Sequence, residues 1–140
     1  MNIKIADIMS RVVVTAQLHH TVEHVRGIMD RNGIHAVPIV DTDGHPLGIV
    51  SSLDFLGGVK DGVHVGQVMT PDPVVLTAYE DVHVAARVMR NRHIHHVLVT
   101  HEQVLVGIIS SFDLLKLVEE HRFVMKNPPT TSVRKGNRKA

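Results

Sequence analysis

The chain has no cysteine and no tryptophan, a single tyrosine and only three phenylalanines. Without cysteine there is no disulfide framework, no thiol nucleophile and no thiolate ligand for zinc or an iron–sulfur cluster. The scarcity of aromatics removes the platform on which single-stranded bases stack. No run approaches the about 18 apolar residues of a membrane-crossing helix. The N-terminal stretch also lacks the basic start and apolar segment of a secretory signal. A soluble, cytoplasmic chain with no membrane partner is the expectation.

A large charge of either sign is missing too, since the formal net charge is +1. That figure hides an asymmetry: residues 126–140 hold Lys126, Arg134, Lys135, Arg138 and Lys139 with no acid, so residues 1–125 carry 10 basic against 14 acidic groups, a balance of −4. A mildly acidic body with a basic tail is not the footprint of a nucleic-acid-binding domain. Residues 123–140, with Pro128-Pro129-Thr130-Thr131-Ser132, have the composition of a disordered tail.

What is present is a repeat. Gly48-Ile49-Val50-Ser51-Ser52-Leu53-Asp54 returns as Gly107-Ile108-Ile109-Ser110-Ser111-Phe112-Asp113, 59 residues later. Upstream the offset is 60 and matches Met9 with Met69, Val22 with Val82, Met29 with Met89 and Val37 with Val97. The matched methionines read as core or interface filling. The chain divides into residues 1–62, the first repeat with its lead-in and linker, residues 63–122, the second repeat, and the tail. Two copies are too few for a solenoid. A closed pair about a pseudo-two-fold axis follows, and 44% hydrophobic content over 140 residues suffices for its core.

Each copy carries the same order of signals. A short helical lead-in, Ile5 to Ser10 or Val65 to Thr70, precedes a β-branched strand, Val12 to Thr15 or Val74 to Thr77. An amphipathic helix follows, with Val22, Val25, Ile28 and Met29 on one face in the first copy and Val82, Ala85, Ala86, Val88 and Met89 in the second. Gly33 ends the first helix, and His93 stands in its place in the second. Strands Ala36 to Val40 and His96 to Thr100 turn back into the repeated motif. Asp43-Gly44 is a strong hairpin signal and His101-Glu102-Gln103 a weaker one. Pro38, lacking an N–H, belongs at an edge or strand end. Closing helices are expected over Ser51 to Leu56, stopped by Gly57-Gly58, and over Ser110 to His121.

These elements resemble the tandem cystathionine β-synthase (CBS) domain pair, or Bateman module. The match rests on Ile8-Met9-Ser10 and Val68-Met69-Thr70, on Ile34 to Val40 and Ile94 to Val99, and on the two Gly-x-x-Ser-x-x-Asp corners. It covers about residues 3–121. The resemblance implies an α/β (α+β) fold of two β-α-β-β-α repeats. It implies clefts between them for adenosine-containing ligands: AMP, ADP, ATP or S-adenosylmethionine. It further implies a homodimer joined through helical faces, and a regulatory role toward a target protein acted on in trans.

The corners carry chemistry of their own. A carboxylate accepts from two vicinal hydroxyls at once, as a ribose diol requires, so Asp54 and Asp113 are candidate ribose ligands. Ser51 and Ser110 can cap a helix or donate to a phosphate. The alternative is purely structural: serine N-caps, with aspartates favourably placed in the first helical turn. From the resemblance, His35 with Ala36, and His95 with His96, face phosphates, and an imidazole there makes phosphate affinity rise as pH falls. Ala85 matches a small helix residue beside the base, whereas Val25 does not, so the clefts are expected to be unequal.

Twelve histidines raise a metal reading. On a strand, however, His93 and His95 share a face while His96 points away, and there is no His-Glu-x-x-His motif; no metal or other cofactor is expected. Catalysis is not expected either. There is no Gly-x-Ser-x-Gly elbow and no phosphate-binding Gly-rich loop with Lys, and the two aspartates, as duplicates, belong to separate clefts. The alternative to a ligand sensor is a ligand-independent dimeric interaction module with vestigial clefts.

Overall fold

A computed structural model of the chain describes residues 2–11, 13–122, 124, 126 and 127. The lead-in is a short helix, α1 (Ile5–Ile8), and the amphipathic helix is α2 (Val22–Asn32). Strands β1 (Ala36–Val40) and β2 (Pro46–Ser51) follow, then a 3₁₀ turn at Ser52–Phe55. The second half has a 3₁₀ turn at Val65–Gln67, β3 (Thr70–Pro71), β4 (Val75–Thr77) and α3 (Val82–Arg92). It closes with β5 (His96–His101), β6 (Val104–Ser110) and α4 (Ser111–Glu119). Two three-stranded sheets result, in the orders β1-β2-β3 and β4-β5-β6. The mixed α+β class and the duplicated order are those expected from the sequence.

The amphipathic helices form where the apolar spacing placed them. Thr21 caps α2 by accepting from the His24 N–H at 3.2 Å, and Val22, Val25, Ile28 and Met29 are buried. Gly33 ends that helix in the left-handed region with φ of 61°, and His93 is held there in α3 with φ of 55°. A residue with a Cβ is strained in that region. His93→Gly is therefore expected to stabilise the fold by about 0.5–1 kcal/mol, read as a higher urea midpoint, even though glycine loses more chain entropy on folding.

The first halves of the two repeats differ, and Pro38 is the reason. In the second repeat the Leu98 N–H donates to Val74 O at 3.0 Å, and β4 pairs parallel to β5. Pro38 occupies the matching position and has no N–H to give Val14. The strand expected over Val12 to Thr15 is accordingly absent at residues 13–15, and Val12 lies outside the described residues. Only an isolated bridge between Ala16 and Ile39 remains, made by Ala16 N to Pro38 O and Val40 N to Ala16 O. As its missing donor requires, Pro38 sits on the outer strand of its sheet.

Other boundaries shift for local reasons. The first closing helix is a four-residue 3₁₀ turn, cut short before Gly57 and Gly58, with φ of 86° and 83°. The second ends at Glu119, short of His121. The lead-in expected to be helical over Val65 to Thr70 yields to strand at Thr70, which joins β3 to β2. Asp41 braces the first hairpin, its Oδ1 accepting from the Asp43 and His45 N–H groups at 2.9 Å each. The backbone bond from His45, foremost, holds its carboxyl below the usual range. The expected tail from Pro128 onward lies outside the described residues.

The lead-ins are exchanged between halves. Ile5 and Met9 are buried in the core of the second half, with Ala85, Met89, Val97 and Ile109. Val65 is buried in the core of the first half, with Val25, Met29, Val37 and Val50, and Met69 packs against it. Ser10 bonds reciprocally to Ile108, at 2.9 and 3.0 Å. Each sheet is thereby covered partly by residues from the other copy.

Candidate functional site: two clefts between the repeats

Two open cavities lie where the halves meet. One, of about 680 Å³, is lined by Asp113 and Ser110 with Val14, Pro38 and Ile108. The other, of about 540 Å³, is lined by Asp54 and Ser51 with Ile49, Val74 and Leu98. The apolar walls are repeat equivalents: Val14 matches Val74, Pro38 matches Leu98 and Ile49 matches Ile108. Each cleft thus takes its aspartate corner from one repeat and part of its apolar wall from the other. The sequence separates the two aspartates correctly.

At both corners the serine and the aspartate make the local bonds of a capping box. Asp113 Oδ2 accepts from the Ser110 N–H at 2.8 Å, and Ser110 Oγ accepts from the Asp113 N–H at 3.1 Å. Asp54 Oδ2 likewise accepts from the Ser51 N–H at 2.8 Å. The Ser51 hydroxyl also donates to the Asp54 carboxylate, at 3.4 Å. In each case one carboxylate oxygen fixes the rotamer, and Oδ1 has no hydrogen bond among the described residues.

The histidines are shared, not divided by repeat. His35, Ala36, His95 and His96 line both cavities. His35 Nδ1 lies 3.5 Å from Ser52 Oγ, and His95 Nδ1 lies 3.3 Å from Ser111 Oγ, one arrangement made twice. By sequence the second repeat, with His95 and His96 plus Arg92 and His93 close by, reads as better equipped than the first, but its groups are not confined to one cleft: Arg92 lines the Asp54 cleft, and His93 lines neither. Ala85 is not brought to the site. It is fully buried within α3, in the core of the second half, and lines neither cleft. The apolar walls come instead from strand residues (Pro38, Ile49, Leu98 and Ile108) and from Val14 and Val74, residues paired by the 59- and 60-residue equivalences.

His96 is half-buried, and burial foremost, followed by the nearby His95, pushes its imidazole below the ordinary value near 6.5, against an opposing pull from Asp113. His20 shifts the same way, by burial and by its stack with His24 and His19 at 4.5 Å ring separations. A histidine whose folded value is depressed stays neutral while the unfolded chain takes up a proton. Its contribution is intact above the unfolded value and is lost as pH falls from there through the folded one. Urea midpoints are therefore expected to drop below about pH 6.5, and His96→Asn should flatten that slope. An unchanged slope in the variant would count against a buried neutral His96.

Comparison with known proteins gives the family. The model of the CBS domain matches twice, at residues 5–61 and 65–120. AcuB from Vibrio cholerae is similar in structure, with 30% identity and a TM-score of 0.76, over 87% of this chain and 99% of that one. The CBS domain pair of protein MJ0100, solved with 5′-methylthioadenosine and S-adenosyl-L-methionine, has 25% identity and a TM-score of 0.79, over 86% and 98%. Among curated relatives, homoserine O-acetyltransferase of Methanosalsum zhilinae is 32% identical over 123 residues, 86% of this chain but 25% of that protein. Inosine-5′-monophosphate dehydrogenase of Halobacterium salinarum is 36% identical over 109 residues, 74% of this chain and 21% of that protein. The chain spans a quarter or less of those two enzymes, and what it shares with them is this module. With two family matches in tandem, an exchanged pair of lead-ins and paired clefts between the copies, the chain belongs to the CBS domain family, as a CBS domain pair.

Proposed function

We propose that the chain is a regulatory module that senses adenosine-containing ligands in the clefts between its two repeats and signals to a partner protein. The observation that carries this reading is the pair of buttressed carboxylates, Asp54 and Asp113. Each commits one oxygen to its own serine N–H and turns the rest of the group toward an apolar-walled cavity. The ribose diol bonds to the carboxylate, and the base lies against Val74 and Leu98 in one cleft or Val14 and Ile108 in the other. The ligands of the MJ0100 pair support the adenosine class.

The corner also supplies a route for the signal. Leu53 and Phe112 directly precede the two aspartates, line the same clefts and are 75% and 77% exposed. Leu56, just past the 3₁₀ turn, and Leu115 and Val118 on α4 are exposed apolar side chains too, and the proposed face is made of these five. A second copy covers this face in the proposed homodimer, so sedimentation should give twice the 15.5 kDa chain mass. A ligand that binds one arrangement of the corners better than another shifts what that face presents.

A thermal-shift screen with AMP, ADP, ATP, S-adenosylmethionine and 5′-methylthioadenosine tests the reading. A ligand at ~100 times its dissociation constant adds about 2.7 kcal/mol, a shift of several degrees. No shift with any of them would favour a ligand-independent interaction module.

A further inference from the structure

The charges lining the two clefts discriminate among adenosine ligands, an inference that rests on the adenosine reading above. Among the described residues no Lys or Arg lines the Asp113 cleft, and Asp113 itself is the single charged group there. Arg92 lines the Asp54 cleft, but it stands against two carboxylates, Asp54 and Asp72. Each cleft is therefore left with a net negative charge when its histidines are neutral. Among the described residues that line the clefts, imidazoles are the only other cation source, and at pH 8 an ordinary histidine is neutral.

Some of the backbone donors at the corners are already committed. At the start of α4 the Asp113 N–H is committed to Ser110 Oγ, and the Ser111 N–H donates to His95 O at 2.9 Å. The matching turn in the first repeat is four residues of 3₁₀ helix, and there the Ser52 N–H donates to His35 O at 3.0 Å. A di- or triphosphate chain would meet carboxylates, hydroxyls and neutral rings, with no Lys or Arg among the described residues lining the Asp113 cleft and a single Arg92 offset by two carboxylates in the Asp54 cleft, unlike the clustered fixed cations that sites for such chains use.

We infer that these clefts select adenosine ligands with an uncharged or cationic 5′ substituent, such as a thioether or sulfonium, over adenosine di- and triphosphates. The diol-binding carboxylate and the apolar walls serve every adenosine compound equally. The discrimination lies at the 5′ end, where His35, His95 and His96 converge from both repeats.

Calorimetric titration of the 140-residue chain at pH 8, in the presence of a chelator, tests this with 5′-methylthioadenosine, S-adenosylmethionine, AMP and ATP. The thioether is expected to bind at least about tenfold more tightly than ATP. His35→Arg, at an exposed position shared by both clefts, should raise ATP affinity about tenfold and narrow the preference for the thioether over ATP accordingly. ATP binding as tightly as the thioether would overturn the charge selection and leave the adenosine reading standing. An unchanged preference in a folded His35→Arg chain would overturn it as well. No binding by any of the four would overturn the adenosine reading itself, and this inference with it.

Discussion

Gly107→Val is expected to destabilise the protein by about 3 kcal/mol, the upper end of overpacking costs, and to lower its melting temperature by roughly 10 °C. A Cβ at position 107 would lie 2.5 Å from Met9 Sδ and 2.9 Å from Ser10 O. The methionine can move, but the carbonyl cannot, because Ser10 and Ile108 hold each other by two backbone hydrogen bonds. Gly48 faces the same situation with Met69 Sδ and with Thr70 O at 2.8 Å. These two glycines are where each repeat's sheet receives the lead-in of the other. Valine at either should part the halves, whereas Gly62→Val, with nothing within 4 Å, should change stability little. Melting curves of the three variants check this.

The second large effect is on binding. Asp54→Asn and Asp113→Asn keep an oxygen for the serine N–H but remove the charge that strengthens hydrogen bonds from a diol. Bonds to charged groups contribute about 1.5–3 kcal/mol, so each substitution should weaken adenosine binding in its own cleft by roughly 10- to 100-fold. Melting temperature without ligand should hardly change, since the backbone bonds at 2.8 Å are retained. The larger loss is expected for Asp113→Asn, because Asp113 is the one charged group among the described residues lining its cleft. Titration of each variant with 5′-methylthioadenosine reads both numbers. Equal losses would contradict the inequality of the clefts, and a large drop in unliganded melting would make the aspartates structural first.

The sequence carried much of this arrangement because its signals were local and appeared twice. The corners, both amphipathic helices, the Gly33 stop and the separation of Asp54 from Asp113 all follow from patterns within a few residues. What local patterns could not carry was contact between distant segments. The β-branched run at Val12 to Thr15 reads as strand by composition, yet the donor its pairing needs is missing at Pro38, some two dozen residues away. Ala85 has a small side chain on the expected helix, but that helix turns it into the core beneath the sheet. The shared use of His35, His95 and His96 emerges only when the exchanged lead-ins bring the two corners together.

The most direct test of the central claim is amide chemical-shift mapping of the chain titrated with 5′-methylthioadenosine. Saturable shifts should concentrate at Ser51 to Asp54, Ser110 to Asp113, and the neighbouring His35, His95 and His96, and should vanish corner by corner in Asp54→Asn and Asp113→Asn. Shifts confined to other surfaces, or identical shifts in both variants, would contradict binding in the clefts between the repeats.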